Sequence, residues 1–399
     1  MEKSPTLEFE QIKKYFPLHR RCVVKVLLIL INGIMLSNSC NLNKIKKKGS
    51  ILLGRTVNPA SLYTRFIRFF KMKGIEGFVL GLLQLVLSMA LSFMGDSSTI
   101  HCIAIDRTNW KLGKININIL YIGLVLENGR FIPLYFNLLA KRGNSSQQER
   151  IDLFEEFKTI FDTLVDFTFV IVGDREFIGE KWFAYMAGSS YEFVMRIRHK
   201  DYAKLLAEQM GMSVEKLHKK IAKQIKKHGY CAFPIEIEGK IFYYHARKKR
   251  KGDKSYPKEK DKYIRFVSTS LDHQWVIKQY DRRWKIEVFF EDSKTKGFDL
   301  EAINFTAESK IRLMVSICAV CYMLCLIHGL IDYEKRRPRF KVDKKSGRMY
   351  HRTSVFTKGY EIVEQMLFHL TQLVEMINRL LSTHFTINQS IIKQKLYAF

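Results

Sequence analysis

Apolar and polar positions change rhythm twice in the first half of the chain. Up to about residue 95 the pattern is helical. Lys3–Tyr15 reads as a short amphipathic start, Arg20–Ser37 as an apolar helix, and Leu42–Lys48 as a basic connector closed by Gly49. Asn58 before Pro59 is an N-cap followed by a first-turn proline. The helix beyond it sets Leu62, Phe66, Phe69 and Phe70 against Arg65, Arg68, Lys71 and Lys73. After Gly95 the texture becomes that of strands. Thr99–Ile105 is a β-type run ending in Asp106, and Ile115–Leu126 is a second. Asn128-Gly129 is a hairpin turn signal and Phe131–Asn137 the return strand, so three strands form an antiparallel meander. Gln147–Val165 is a helix, and Phe167–Val172 is a buried-type strand meeting Gly173-Asp174. Glu176–Ala187 is helical, and Tyr191–Ile197 is a fifth strand.

Residues 199–270 break that alternation and read as an insertion. Lysine-rich helical pieces at Tyr202–Met210 and Ser213–His228 precede strand-like runs at Phe233–Ala246 and Tyr263–Ser268, which the basic loop Arg247–Lys262 separates. Trp275–Lys296 returns to helix, Ser309–Tyr333 is an apolar helix, and Tyr360–Ser382 is a last amphipathic one. The expected organisation is a helical region over 1–95, a mixed α/β core over 96–198 and 271–335, a basic insertion over 199–270, and a basic helical region over 336–399.

Charge sharpens this picture. The 399 residues carry 67 Lys+Arg against 39 Asp+Glu, a formal net of +28. That excess calls for a polyanionic partner, nucleic acid or an anionic membrane surface. It is clustered: residues 335–358 hold ten basic side chains and one acidic. The basic face bearing Arg65 and Arg68 suits a helix-turn-helix reader of DNA as well as a plain surface helix. Seven cysteines, an odd number without a secreted-type framework, point to a reducing interior. Cys318, Cys321, Cys325 and His328 share one apolar helical run, which cannot wrap a tetrahedral ion, so core packing is expected of them. Ser309–Tyr333 covers enough apolar length to suggest a membrane helix, but Val23–Leu36 is short and contains Lys25. Acids and a proline follow the first Met instead of a signal-peptide start. The expectation is a soluble, basic protein with buried helices.

Two acids follow hydrophobic strands, Asp106 and Asp174, where they would be held rigidly and partly desolvated. A third candidate lies in the helix YDRRWKIEVFFEDSK. At 100° per residue, with Tyr280 at zero, Arg283 falls near about −60°, Glu287 near about −20° and Lys294 near about −40°. Those four side chains share one stripe, which also suits a merely solvated face. Glu291, one turn from Glu287, points nearly the same way, so periodicity alone does not choose between them. Three acids of this kind can collect two Mg²⁺ ions for phosphodiester chemistry.

The motifs together resemble a known family. Tyr280, Arg283, Glu287 and Lys294 match, with two, three and six intervening positions, the signature of DDE transposases of the insertion-sequence IS-four type. IAIDRTNW around Asp106 and VIVGDREFIG around Asp174 resemble that family's first two motifs. The resemblance covers about residues 99–330. It implies a ribonuclease H-like core with an insertion before the Glu-bearing helix, where residues 199–270 lie. It implies Asp106, Asp174 and Glu287 as ligands of two Mg²⁺ ions, with Mn²⁺ as a substitute. Tyr280, Arg283 and Lys294, with Arg175 as a further contact, would then grip DNA near the cleavage site. It also implies cut-and-paste chemistry on double-stranded DNA, at the element's terminal repeats and a target, by a homodimer on the bacterial nucleoid without a membrane. The alternative is an inactive or domesticated DNA-binding protein of the same fold. Relatives often carry a mainly β insertion, unlike the lysine-rich helical pieces here. Trp275, Tyr263 and Trp284 are candidates for stacking a flipped base.

Overall fold

A computed structural model of the chain describes residues 5–91, 100–127, 129–160, 168–189, 191–250, 262–336, 340–342, 349–366 and 370–381. Six helices fill the first of these stretches: α1 Pro5–Lys13, α2 Arg21–Ser37, α3 Leu42–Lys46, α4 Gly49–Leu53, α5 Pro59–Phe69 and α6 Ile75–Leu91. Asn58 caps α5, its Oδ1 accepting from Ala60 N at 2.9 Å. Leu62, Phe66 and Phe69 turn inward, while Arg65 and Arg68 stay exposed.

An eight-stranded sheet follows, with strands β1 His101–Leu112, β2 Ile115–Val125, β3 Phe131–Leu138, β4 Phe169–Gly173, β5 Glu192–Ile197, β6 Tyr230–Ile237, β7 Lys240–Lys248 and β8 Tyr263–Ser268. Their spatial order is β3-β2-β1-β4-β5-β8-β7-β6. The first three form the expected antiparallel meander, β1, β4 and β5 run parallel, and the rest pair antiparallel. Helices α7 Gln147–Ile160 and α8 Glu180–Gly188 flank β4, and α9 Ala203–Gln209 and α10 Val214–His228 precede β6. This mixed sheet between helical N- and C-terminal regions is the ribonuclease H-like arrangement expected of the chain.

Several expectations about the strands and the helix after β4 need correction. Strand β1 does not stop before Asp106; it stays paired with β2 as far as Leu112 opposite Ile115. What ends there is the parallel ladder to β4. The helix after β4 starts at Glu180, not Glu176, because Gly179 takes a φ of +146° that no helix accommodates. The run Phe233–Ala246 is a hairpin, β6–β7, turned at Glu238-Gly239 with φ of +49° and +70°. A two-residue turn of that hand matches strand twist, but Glu is a rare residue for it. The insertion joins the core sheet: β8 pairs with β5, Arg196 opposite Phe266.

The helix expected over Trp275–Lys296 is three pieces. Helix α11 His273–Arg283 ends at Trp284, α12 Lys285–Glu291 follows, and Asp292–Lys296 is a π-helical turn. His273 opens α11 stacked on Tyr230 of β6, ring centroids 4.2 Å apart, with its Nδ1 3.4 Å from that of His245 on β7. Three helices close the described chain: α13 Glu308–Lys335, α14 Val355–Met366 and α15 Leu370–Leu381. The helix expected over Tyr360–Ser382 thus appears as parts of α14 and α15. Asn128, the end of the helix reaching Val165, most of the loop Arg247–Lys262 and part of the basic stretch 335–358 lie outside the described residues.

Among the described residues α13 is the one helix long and apolar enough to cross a membrane, and 89% of its most apolar window is buried within the protein. It packs on α6, α2 and α14. Glycines allow the closest approach: a Cβ on Gly359 would overlap the Cys325 carbonyl, and one on Gly329 the Val355 carbonyl. Cys318, Cys321 and Cys325 are buried in this core, and His328 Nδ1 donates to the Leu324 carbonyl at 2.8 Å.

Candidate active site

Register creates the site. The last parallel rung between β1 and β4 joins Ile105 to Gly173. The next residue on each strand is an acid, Asp106 and Asp174. Neighbouring strands lie about 4.8 Å apart, so equal register sets the two acids side by side where the ladder opens. Each carboxylate accepts from the backbone N–H of the residue after it at 2.8 Å, Arg107 for Asp106 and Arg175 for Asp174.

Alternation then aims the acids at α11 and α12. Asp106 pairs with Tyr121 on β2 and shares its face, and the Tyr121 ring meets Phe289 and Phe290 of α12. On β5, Arg196 faces the same way as its partner Phe266, whose ring packs on Tyr280 of α11. The opposite face of β5 presents Phe193 to Phe183 of α8. Asp272 caps α11 through Gln274 N and Trp275 N. Arg282 fastens α11 to the sheet, Nη2 donating to the Val125 carbonyl at 2.7 Å.

Five residues expected from the sequence therefore meet. Arg283 donates from Nη1 to Asp106 Oδ2 at 2.8 Å and from Nη2 to Glu287 Oε1 at 2.7 Å. The Tyr280 hydroxyl donates to Asp174 Oδ1 at 3.4 Å. A sixth residue, Arg196, had not been singled out; its Nη1 lies 3.5 Å from Asp174 Oδ1. Its strand also carries Glu192, so an arginine there gives no distinct signal in the sequence. Of the two glutamates, Glu287 joins Arg283, while Glu291 is exposed on the next turn.

Burial and charge act oppositely on the paired aspartates. Burial pushes the Asp106 carboxyl up to about 6, against the pull of Arg283 and the Arg107 N–H. Burial also raises Asp174, but Arg283, Arg196 and the Arg175 N–H outweigh it and hold that carboxyl below its ordinary value. Burial drives the Tyr280 phenol up to about 12, so it remains a proton donor.

Other expected residues sit elsewhere. Lys294 Nζ bonds the Asn109 carbonyl and Glu301 Oε1, each at 3.1 Å, over the Trp110 ring. Asn109 is three residues past Asp106 on β1, roughly 10 Å along the strand. Lys294 sits within the π turn, which carries it off the straight-helix stripe. Arg175 borders the site, its Nε 4.0 Å from Asp174 Oδ1. Arg65 and Arg68 project from α5, an element that supplies no acid to the site. Trp284 is 42% exposed at the α11–α12 junction, whereas Trp275 and Tyr263 are half-buried.

A second network locks the two aspartate-bearing segments together. Glu176 Oε1 accepts from Arg107 Nε at 2.9 Å, and Oε2 accepts from Arg107 Nη2 at 3.2 Å. Ser145 N and Oγ also donate to Glu176 Oε1. Arg107 Nη1 reaches Asn118 on β2. Buried Arg150 of α7 donates to the carbonyls of Ser145, Glu176 and Ile178. The neighbours of Asp106 and Asp174 in sequence thus brace one another.

Among the described residues no three His, Cys, Asp or Glu side chains are placed to hold one metal ion. The carboxylates gather around Arg283 instead. Their donor chemistry is nevertheless that of a hard-cation site: carboxylate oxygens alone, without thiolate or imidazole. Such oxygens beside two guanidinium groups can bind a hard cation and a phosphodiester. No curated protein matches the chain. Residues 145–324, which carry Asp174, Tyr280, Arg283 and Glu287 but not Asp106, match the family model described as a transposase DDE domain.

Proposed function

We propose that this chain is a DNA transposase of the insertion-sequence IS-four type. It would cut at the terminal repeats of a mobile element and join the 3′ ends to target DNA. The observation that carries the reading is that Asp106 and Glu287 share one buried guanidinium while Asp174, level with Asp106 on the next strand, is held by Tyr280 and Arg196. The transposase DDE match over 145–324 supports it.

Asp106, Asp174 and Glu287 are the residues that would hold Mg²⁺, two ions in this reading, with Mn²⁺ as a substitute. When bound, such ions supply a stronger nucleophile and charge stabilisation at the scissile phosphate. The chain's own groups do the positioning. Tyr280 and Arg196 fix the Asp174 carboxylate, and the Arg107–Glu176 pair fixes the spacing of the two strand acids. Arg175 and Arg283 are within reach of a phosphate placed there. Lys294 would grip the duplex further along β1. The exposed Arg65 and Arg68, in a chain of net charge +28, suit phosphate contacts to the terminal repeats. The working assembly is a homodimer holding two DNA ends in the cytoplasm, on the nucleoid.

The test is cleavage of duplex DNA carrying the element's own ends, with Mg²⁺. Asp106→Asn, Asp174→Asn and Glu287→Gln should each abolish cleavage and leave gel-shift binding intact. Cleavage that survives Glu287→Gln but is lost in Glu291→Gln overturns the assignment.

A further inference from the structure

Arginines that grip DNA are ordinarily open to solvent, yet Arg283 is 6% exposed. Its Nη atoms are committed to Asp106 and Glu287, and its Nε is buried without a hydrogen-bond partner. An orphaned guanidinium N–H makes this a poorer seat than a fully paired one. Arg283 is also the last residue of α11, at the junction with α12. Arg196 of β5 supplies a second cation beside Asp174, its Nη1 3.5 Å from Oδ1.

We propose that Arg283 is a resident, displaceable counter-ion of the carboxylate site. It holds Asp106 and Glu287 together before a divalent cation arrives, competes with that cation for the same oxygens, and turns to a DNA phosphate when displaced. The proposal rests on reading Asp106, Asp174 and Glu287 as cation ligands. Its physical basis is competition. Clustered carboxylates need a neutralising cation, and a guanidinium bonded at 2.7 and 2.8 Å occupies a lone pair on each acid and sets a positive charge against any metal ion approaching them. Loading the ion and freeing the phosphate grip therefore become one linked equilibrium. The ordering is useful: the chain holds DNA tightly near the cut only when it is ready to cut.

Mn²⁺ titration of the full-length, DNA-free protein by calorimetry tests the competition. Arg283→Met should bind Mn²⁺ at least about tenfold more tightly than wild type, because two charge-assisted bonds no longer have to break. Arg283→Lys, a point charge that cannot bridge both acids, should fall between the two. On the unaltered chain, phenylglyoxal labelling read by mass spectrometry should find Arg283 protected without Mn²⁺ and modified with it. Equal or weaker Mn²⁺ binding by both variants overturns the proposal, as does an Arg283 that stays protected in Mn²⁺-loaded protein. Asp106→Asn and Glu287→Gln separate the two levels. If Mn²⁺ binding survives them, the ligand assignment itself falls. If they abolish binding while Arg283→Met changes nothing, only the counter-ion proposal falls.

Discussion

Glu176→Gln removes one charge and one acceptor from the brace between the two aspartate-bearing segments, with almost no change in volume. Glu176 Oε1 and Oε2 both take Arg107 N–H groups, and both side chains are well buried, 13% and 16% exposed. Gln can keep the bonds from Ser145, but it must turn an NH₂ donor toward Arg107 or give up one of the pair. Two charge-assisted bonds thus become at most one neutral-acceptor bond, and Arg107 keeps a buried charge without its counter-charge. Breaking a fully buried pair costs about 3–5 kcal/mol. Discounting for the residual exposure gives about 3 kcal/mol. Urea unfolding of the full-length protein, read at equilibrium, measures it. A loss under about 1 kcal/mol would refute the view that this pair braces the site, since that is the size of a surface ion pair. The double variant Arg107→Met, Glu176→Leu provides the control. Removing both charges should cost less than removing Glu176 alone, because no charge is stranded.

Gly359→Ala should prevent α14 from seating on α13, because its Cβ overlaps the Cys325 carbonyl; a loss of at least about 3 kcal/mol, or insoluble expression, is expected. His273 gives a pH signature: burial first, then His245, Arg247 and Arg250, depress it from 6.5 to about 4, so protonation favours the unfolded chain. Stability should be intact above about pH 6.5 and fall as the pH drops toward 4, by up to about 3 kcal/mol, and His273→Phe should flatten that slope in melts across pH. Asn58→Ala removes the bond to Ala60 N and should lower stability by about 1 kcal/mol in the same melts. Lys294→Ala should weaken DNA binding and lower its salt dependence by about one phosphate contact, measured by fluorescence anisotropy, while leaving Mn²⁺ binding unchanged.

The chain announced those parts of its site that depend on short-range geometry. The apolar run before Gly173-Asp174 could only be a buried strand, and the acid had to emerge at its end. Tyr280, Arg283 and Glu287 lie three and four residues apart, a spacing that survives a modest bend in the helix. Lys294 lies seven residues further on, inside the π turn, so a straight-helix projection misplaces it. Asp106 was found for a partly mistaken reason, because β1 continues beyond it and only the pairing with β4 ends. The β6–β7 turn was hidden because a glutamate, Glu238, holds the left-handed position. Arg196 and the Arg107–Glu176 brace were silent because each depends on which strands become neighbours. No local pattern carries that information.

The pairing of β8 with β5 means that residues 199–270 cannot be lifted out as a cassette. Their removal would leave β5 as a bare sheet margin, with the backbone groups of Val194–Ile197 that face β8 unsatisfied and prone to recruit a strand from another molecule. A force applied to the outermost strand, β6, would travel through β7 and β8 along continuous hydrogen bonding to β5, the strand beside the one that ends at Asp174. A pull on the lysine-rich surface of the insertion would therefore load the floor of the carboxylate cluster as a lever loads its fulcrum.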